Sequence, residues 1–86
     1  MDLQKVIKYP LSTEKSMRLM ESDNKLVFAV DLASTKRDIR RAIESLFNAK
    51  VVGVNTFVTS KGQKRAYVKF SLETPAIDVA TSLGLM

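Results

Sequence analysis

The 86-residue chain contains neither cysteine nor histidine. Without cysteine there are no disulfides, no thiolate zinc site and no thiol nucleophile. Without histidine the commonest general base and the commonest metal ligand are missing. Glycine is almost as scarce. The three glycines, Gly53, Gly62 and Gly84, build no nucleophile elbow, phosphate-binding loop or dinucleotide fingerprint. The nine carboxylates show no recognisable metal-ligand spacing. These absences argue against an enzyme, a resident metal or a cofactor. The longest apolar run, Leu26 to Val30, is far too short to span a bilayer. The opening Met1-Asp2-Leu3-Gln4-Lys5 lacks the apolar region of a signal peptide. The sequence therefore predicts a cytoplasmic protein with no membrane insertion, folded as one domain over residues 1–86 around one modest core.

What the chain has is positive charge, unevenly placed. The formal net charge is +5. Between Ser34 and Leu72 stand nine lysines and arginines against only Asp38 and Glu44, a local net of +7. The rest of the chain is therefore net negative, at −2. A small basic domain with its charge gathered in one half points to a polyanionic partner.

The stretch Ser34–Thr59 organises the chain. Ile39, Ala42, Ile43, Leu46 and Phe47 recur at the spacing of one helix face. Thr35 with Asp38 three residues later forms a capping box at its start. Lys36, Arg37, Arg40 and Arg41 lie on the opposite face. Cations this near a helix start oppose the dipole, which favours a functional reason for them. Val51–Val58 follows almost without a loop and reads as a buried strand.

Around this unit the pattern continues in both directions. Lys5–Tyr9 reads as a short extended segment that ends at Pro10. Ser12 or Thr13 caps a helix to about Ser22, with Glu14 in its first turn and Met17 and Met20 buried. Ser22-Asp23-Asn24 is a turn, and Lys25–Leu32 is a central strand apolar on both faces. Ser60–Gln63 is a hairpin turn with Gly62 available for positive φ. The return strand, Lys64–Leu72, turns Ala66, Val68, Phe70 and Leu72 inward and Arg65, Tyr67, Lys69 and Ser71 outward. Thr74 as N-cap and Pro75 at the first helical position begin a last helix. Its apolar face is Ala76, Val79, Ala80 and Leu83, and Gly84 ends it. The order β-α-β-α-β-β-α, with a right-handed β-α-β unit and the last strand slotted inside it, gives an α+β domain with a four-stranded sheet packed with helices.

Lys61, Lys64, Arg65 and Lys69 crowd one hairpin around Tyr67. Cations neutralise phosphate and an aromatic ring can stack on a base. Asn55-Thr56 is a polar pair within an apolar strand, able to hydrogen-bond an RNA backbone or 2′-hydroxyl. Ala66-Tyr67-Val68-Lys69-Phe70 matches the second half of an RNA-recognition-motif strand, whereas Gln63-Lys64-Arg65 fails the first half. The candidate RNA-binding residues are Lys61, Lys64, Arg65, Asn55 and Thr56, with Lys36, Arg37 and Arg40 as a second patch and Lys15 as a further phosphate contact. A free-standing single-stranded RNA-binding module, with Tyr67 as a platform, is the alternative reading.

Several segments in order also resemble a known family. They are Ile7…Pro10-Leu11-Ser12-Thr13-Glu14-Lys15, Asn24-Lys25-Leu26-Val27-Phe28, Lys36…Ile39-Arg40…Ala42-Ile43-Glu44…Phe47, Val51…Val54-Asn55-Thr56, Lys64-Arg65-Ala66-Tyr67-Val68 and Ala76-Ile77-Asp78-Val79-Ala80…Leu83-Gly84. Together the chain resembles the family of large-subunit ribosomal protein number twenty-three in its archaeal form. The resemblance implies an antiparallel-type sheet in the order 1-2-4-3. It implies binding to large-subunit rRNA beside the exit of the nascent-peptide tunnel, among neighbouring large-subunit proteins. It also implies a share in the docking platform for signal recognition particle and the protein-conducting channel, with Glu14 at the position that serves trigger factor in bacterial relatives. Those relatives carry a long hairpin extension that this chain lacks.

Overall fold

The computed structural model describes residues 3–11 and 13–82. Ser12, Leu83 and Gly84, named above as cap, core and helix-end residues, lie outside the described residues. The elements are α1 Leu3–Val6, β1 Ile7–Pro10, α2 Glu14–Asp23, β2 Lys25–Val30, α3 Lys36–Phe47, β3 Val51–Val58, β4 Lys64–Phe70 and α4 Ala76–Ser82. The expected α+β order is present, preceded by the single helical turn α1, where the sequence reading began an extended segment. The strands form one sheet in the order β1-β2-β4-β3, every neighbouring pair antiparallel. No helix among the described residues is long and apolar enough to cross a membrane.

Period-two alternation assigns each strand residue to a face. Leu26, Phe28 and Val30 of β2 and Ala66, Val68 and Phe70 of β4 join Val51 of β3 on one face. Ile39, Ala42 and Ile43 of α3, Met20 of α2, Val6 of α1 and Ala76, Val79 and Ala80 of α4 cover it. Phe28, with no exposed surface, packs on Phe47 at a ring-centroid distance of 6.2 Å, within the range for favourable aromatic pairs. Val27 and Ala29 are also buried, so β2 is covered on both faces, as its unbroken apolar run suggests.

Three leucines assigned to the core are exposed instead. Asp31 ends β2: its carboxylate accepts from the Ala33 N–H and its carbonyl from Ser34. The resulting turn leaves Leu32 at the surface. Ser71 does the same after β4, accepting from the Glu73 and Thr74 N–H groups, and Leu72 at the turn tip is 92% exposed. Leu46 sits at the border of the apolar stripe. It lines a cleft against Asp78, Val79 and Ser82 instead of entering the core. The expectation of a buried β3 is also corrected. β4, slotted between β2 and β3, makes β3 an edge strand, and Val52, Asn55, Phe57 and Val58 are exposed.

Both longer helices begin on capping boxes. Thr13 caps α2: its Oγ1 accepts from the Ser16 N–H at 3.2 Å, and Ser16 Oγ accepts from the Thr13 N–H at 2.8 Å. Thr35 caps α3, where Thr35 Oγ1 accepts from the Asp38 N–H at 3.2 Å and Asp38 Oδ2 from the Thr35 N–H at 3.1 Å. The hydrogen bond from the Thr35 backbone, helped by its hydroxyl and by Arg41, lowers the Asp38 pKa. A lowered folded-state pKa means stability that is complete above the ordinary carboxylate value of 3.8 and lost as pH falls through the lowered value. The stability gap between wild type and Asp38→Ala in urea unfolding should therefore be larger near neutrality than at strongly acid pH. An equal gap at both would exclude the carboxylate as its source.

α4 starts differently from the expectation. Thr74 Oγ1 accepts from the Lys50 N–H, so it ties down the start of β3 instead of capping α4. The orphan N–H of Ala76 donates instead to Asn24 Oδ1 at 2.6 Å. Asn24 ends α2 in the left-handed conformation (φ 55°, ψ 41°), which asparagine tolerates better than most residues. Its Nδ2 reaches the carbonyls of Phe70, Ser71 and Thr74 at 3.0, 3.1 and 3.3 Å. One side chain thus joins α2, the end of β4 and the start of α4. Buried or half-buried groups left unpaired cost about 1–3 kcal/mol each. Asn24→Ala should therefore cost about 3 kcal/mol in urea unfolding. Asn24→Gly, which keeps the left-handed backbone free of strain, should retain most of that loss. A loss below about 1 kcal/mol in both would show that the joint is dispensable.

Candidate nucleic-acid interface

Opposite the core, the register lays out the outer face of the sheet in rows. Tyr9, Ala29, Arg65 and Phe57 form one row across all four strands. Val27, Tyr67 and Asn55 form the next, and Lys25, Lys69 and Gly53 the third. Three cations and three aromatics therefore share this face, and no carboxylate stands in these rows. The rings of Phe57 and Tyr67 lie 5.3 Å apart, tilted by 49°. Arg65 is steadied by Nε donating to Gln63 Oε1 at 3.0 Å. Gln63 in turn donates from Nε2 to the Tyr9 hydroxyl.

The hairpin turn brings Lys61 to the same end. Gly62 adopts φ 81°, a conformation costly for side chains with a Cβ. The turn closes with Thr59 accepting from Gly62 and Gln63. Thr59, Ser60, Lys61, Gln63 and Arg65 line one cleft there. Lys15 arrives from α2. Because β1 is short, α2 lies along the open flank of β2, and Lys15 lines a small cavity with Val27, Arg65 and Tyr67. Lys61, Arg65, Asn55 and Lys15 thus converge on one surface although they are distant in sequence.

The remaining candidates separate from it. Thr56, paired with Ala66, points to the helical side of the sheet, so the Asn55-Thr56 pair is split between the two faces. Lys36, Arg37 and Arg40 gather with Gly53 and Val54 in a groove between α3 and the β3 edge, as a second patch. Lys64 also lies on the helical side, and its Nζ donates to the carbonyl of Ser34. It anchors the turn before α3, which removes it from the outer face. Glu14 is fully in solvent, its side chain 83% exposed and paired with Arg18 at 2.9 Å.

Ion pairing leaves most of this charge available. Among the described residues the ion pairs are Arg18–Glu14, Arg40–Glu44 at 3.5 Å and Lys50–Glu73 at 3.9 Å. Lys15, Lys25, Lys36, Arg37, Lys61, Arg65 and Lys69 have no carboxylate within 4.0 Å among the described residues. Arg40 is partly neutralised by Glu44. Sequence reasoning passed over Phe57 and Lys25 as site residues and counted Lys69 only as charge. The phase of β4 placed Arg65, Tyr67 and Lys69 together, but Phe57 and Lys25 join them only through the cross-strand register.

The split between Lys64 and Arg65 is open to test. Lys64→Ala should lower stability by about 1.5–3 kcal/mol, the range for a hydrogen bond to a charged group. Arg65→Glu should leave stability within about 0.5–1 kcal/mol and weaken binding of an RNA probe at matched salt. Equal effects of the two on both measurements would contradict the geometry.

Comparison with known proteins identifies the family. The family described as Ribosomal protein L23 matches residues 5–80. The Large ribosomal subunit protein uL23 of Methanococcus vannielii is 53% identical over 85 residues, 99% of each chain. Those of Methanococcus maripaludis (strain C5) and Methanococcus aeolicus are 49% and 46% identical over the same length and coverage. Identity at this level along nearly the whole chain, with the expected strand order, places it: the chain belongs to the Ribosomal protein L23 family, in its archaeal form.

Proposed function

We propose that the chain is a structural constituent of the large ribosomal subunit, not an enzyme, and works by binding large-subunit rRNA on the cytoplasmic ribosome. The observation that carries this reading is the outer sheet face of a family member, whose cations have no carboxylate partner among the described residues. Lys61, Arg65, Lys69 and Lys15 reach one surface, and Lys36, Arg37 and Arg40 supply a second around the β3 edge. Such cations release counterions when they meet phosphate. Asn55 adds a neutral hydrogen-bonding group between them. Neighbouring large-subunit proteins complete the setting.

The finer placement follows the family resemblance: rRNA beside the exit of the nascent-peptide tunnel, within the docking platform for signal recognition particle and the protein-conducting channel. Glu14 supports it by its exposure, since a visiting factor can reach it without disturbing the core. The β3–β4 connection, residues 59–63, bears on the same placement. A strand rises about 3.3 Å per residue, so a projection of about 30 Å takes about nine residues in each arm. The hairpin therefore stays beside the sheet, outside the tunnel interior.

Binding of the full chain to large-subunit rRNA should weaken with salt. If about five cations touch phosphate, log K against log salt falls with a slope of roughly −3.5 to −4.5. The native protein should sediment with large subunits. A slope near zero, or sedimentation apart from subunits, would overturn the reading. For the docking part, subunits carrying Glu14→Ala should bind a targeting factor more weakly, and unchanged affinity for every factor would leave Glu14 only its place at the start of α2.

A further inference from the structure

We infer that the outer sheet face is a docking site for unpaired nucleotides, with a base stacked on the Phe57–Tyr67 pair. The inference rests on the RNA-binding reading and deepens it. Phosphate contacts alone would suit any RNA, whereas this face carries features that only an unstacked base uses.

The first is exposure against cost. Phe57 is 45% exposed on an edge strand and has Tyr67 as its aromatic neighbour at 5.3 Å. An apolar ring left nearly half in water forgoes part of the gain of burial, and the other face of the same sheet has a core to offer. β3 turns its alternate residues to both faces, so a serine or lysine at this position would serve an idle surface equally well. The second is composition. Asn55 stands beside Phe57 on β3 and directly across from Tyr67, and Arg65 stands directly across from Phe57. The rings are thus flanked by an amide, which can donate to and accept from a base edge, and by a guanidinium, which can stack on a base or pair with phosphate. The third is charge. Lys25, Lys69 and Arg65 share the rows, Lys15 lines their flank, and no carboxylate stands in these rows.

Charge also selects the occupant. An apolar patch ringed by cations repels a second copy of this chain. It suits a protein only if that partner is acidic. A single-stranded nucleic acid satisfies both halves of the patch at once, rings to the bases and cations to the backbone, as in other stacking platforms. Double-stranded RNA hides its bases and can use the cations only.

The test uses the full chain and two probes at one salt concentration: a mixed-sequence single-stranded RNA oligomer, and the same oligomer annealed to its complement. Wild type should prefer the single strand. Phe57→Leu keeps an apolar side chain without a π-face, and it should lose about tenfold in single-strand affinity, from the usual strength of base–aromatic stacking. Its duplex affinity and its salt slope should stay unchanged. Tyr67→Leu should act likewise, with thermal unfolding checking that it folds. Leu72→Ser removes an exposed side chain away from the face and should bind both probes as wild type does. As an independent readout, emission from Tyr67 in a Tyr9→Phe background should be quenched as the single strand saturates. The inference is overturned if Phe57→Leu and Tyr67→Leu bind the single strand as tightly as wild type. It is overturned equally if wild type ignores the single strand, or if the face proves to mediate self-association while RNA affinity is insensitive to Phe57. A normal salt slope on large-subunit rRNA alongside any of these results would show that the RNA-binding reading survives and only the stacking site fails.

Discussion

Four elements of this small domain meet at Asn24. Its left-handed backbone stops α2 and starts β2 without a connecting loop. Its amide nitrogen takes up carbonyls at the end of β4, and its amide oxygen receives the first N–H of α4. Its own carbonyl accepts from the Phe70 N–H. An 86-residue chain buries little surface and, without cysteine, has no disulfide to hold its periphery. A polar side chain that satisfies several otherwise orphaned backbone groups is an economical substitute. The position of α4 over the sheet, and with it the burial of Ala76, Val79 and Ala80, depends on that joint.

With the helices held on one side, antiparallel register does the rest. Each strand residue is committed to one face, and a one-residue slip would exchange them all. Phe28, Ala66 and Val68 therefore specify the placement of Arg65, Tyr67 and Asn55 as firmly as they specify the core. The same logic separates Lys64 from Arg65. Adjacent in sequence, one braces the turn before α3 and the other faces outward beside Phe57. A rigid apolar layer thus presents cations and rings at fixed spacing, which suits recognition of a structured RNA without folding on binding.

The two basic patches differ in kind. The outer face mixes cations with aromatic rings and an amide. The α3 patch is cationic only, set in a groove beside the exposed backbone of β3. An edge strand is a liability that charge near it can blunt, and Lys36, Arg37 and Arg40 serve that end whether or not phosphate is present. The β-bulge between Val51 and Gly53 works in the same direction by breaking the regular ladder at the edge.

Much of this was legible in the residues themselves, because local physics decides it. The capping box of Thr35 and Asp38, the stripe of Ile39, Ala42 and Ile43, the bounds of β3 and the positive φ at Gly62 all follow from spacing and from backbone preference within a few residues. So did the outward phase of Arg65, Tyr67 and Lys69, and the family resemblance supplied the strand order. What the chain could not reveal locally were the outcomes of long-range pairing. Thr74 looked like a helix cap until Lys50 claimed its hydroxyl and Asn24, 52 residues from Ala76, took over the capping. Leu32 and Leu72 continued an apolar alternation, yet the turns at Asp31 and Ser71 satisfied the backbone first. Val51–Val58 read as buried because its residues are apolar, but the slotting of β4 inside the β-α-β unit, itself expected, leaves β3 at the sheet edge with half its residues exposed. The gathering of Lys15, Lys25, Asn55, Phe57 and Arg65 on one surface belongs to the same class. Sequence dictates which face each side chain takes within its own strand, whereas neighbours across strands exist only once the sheet has closed.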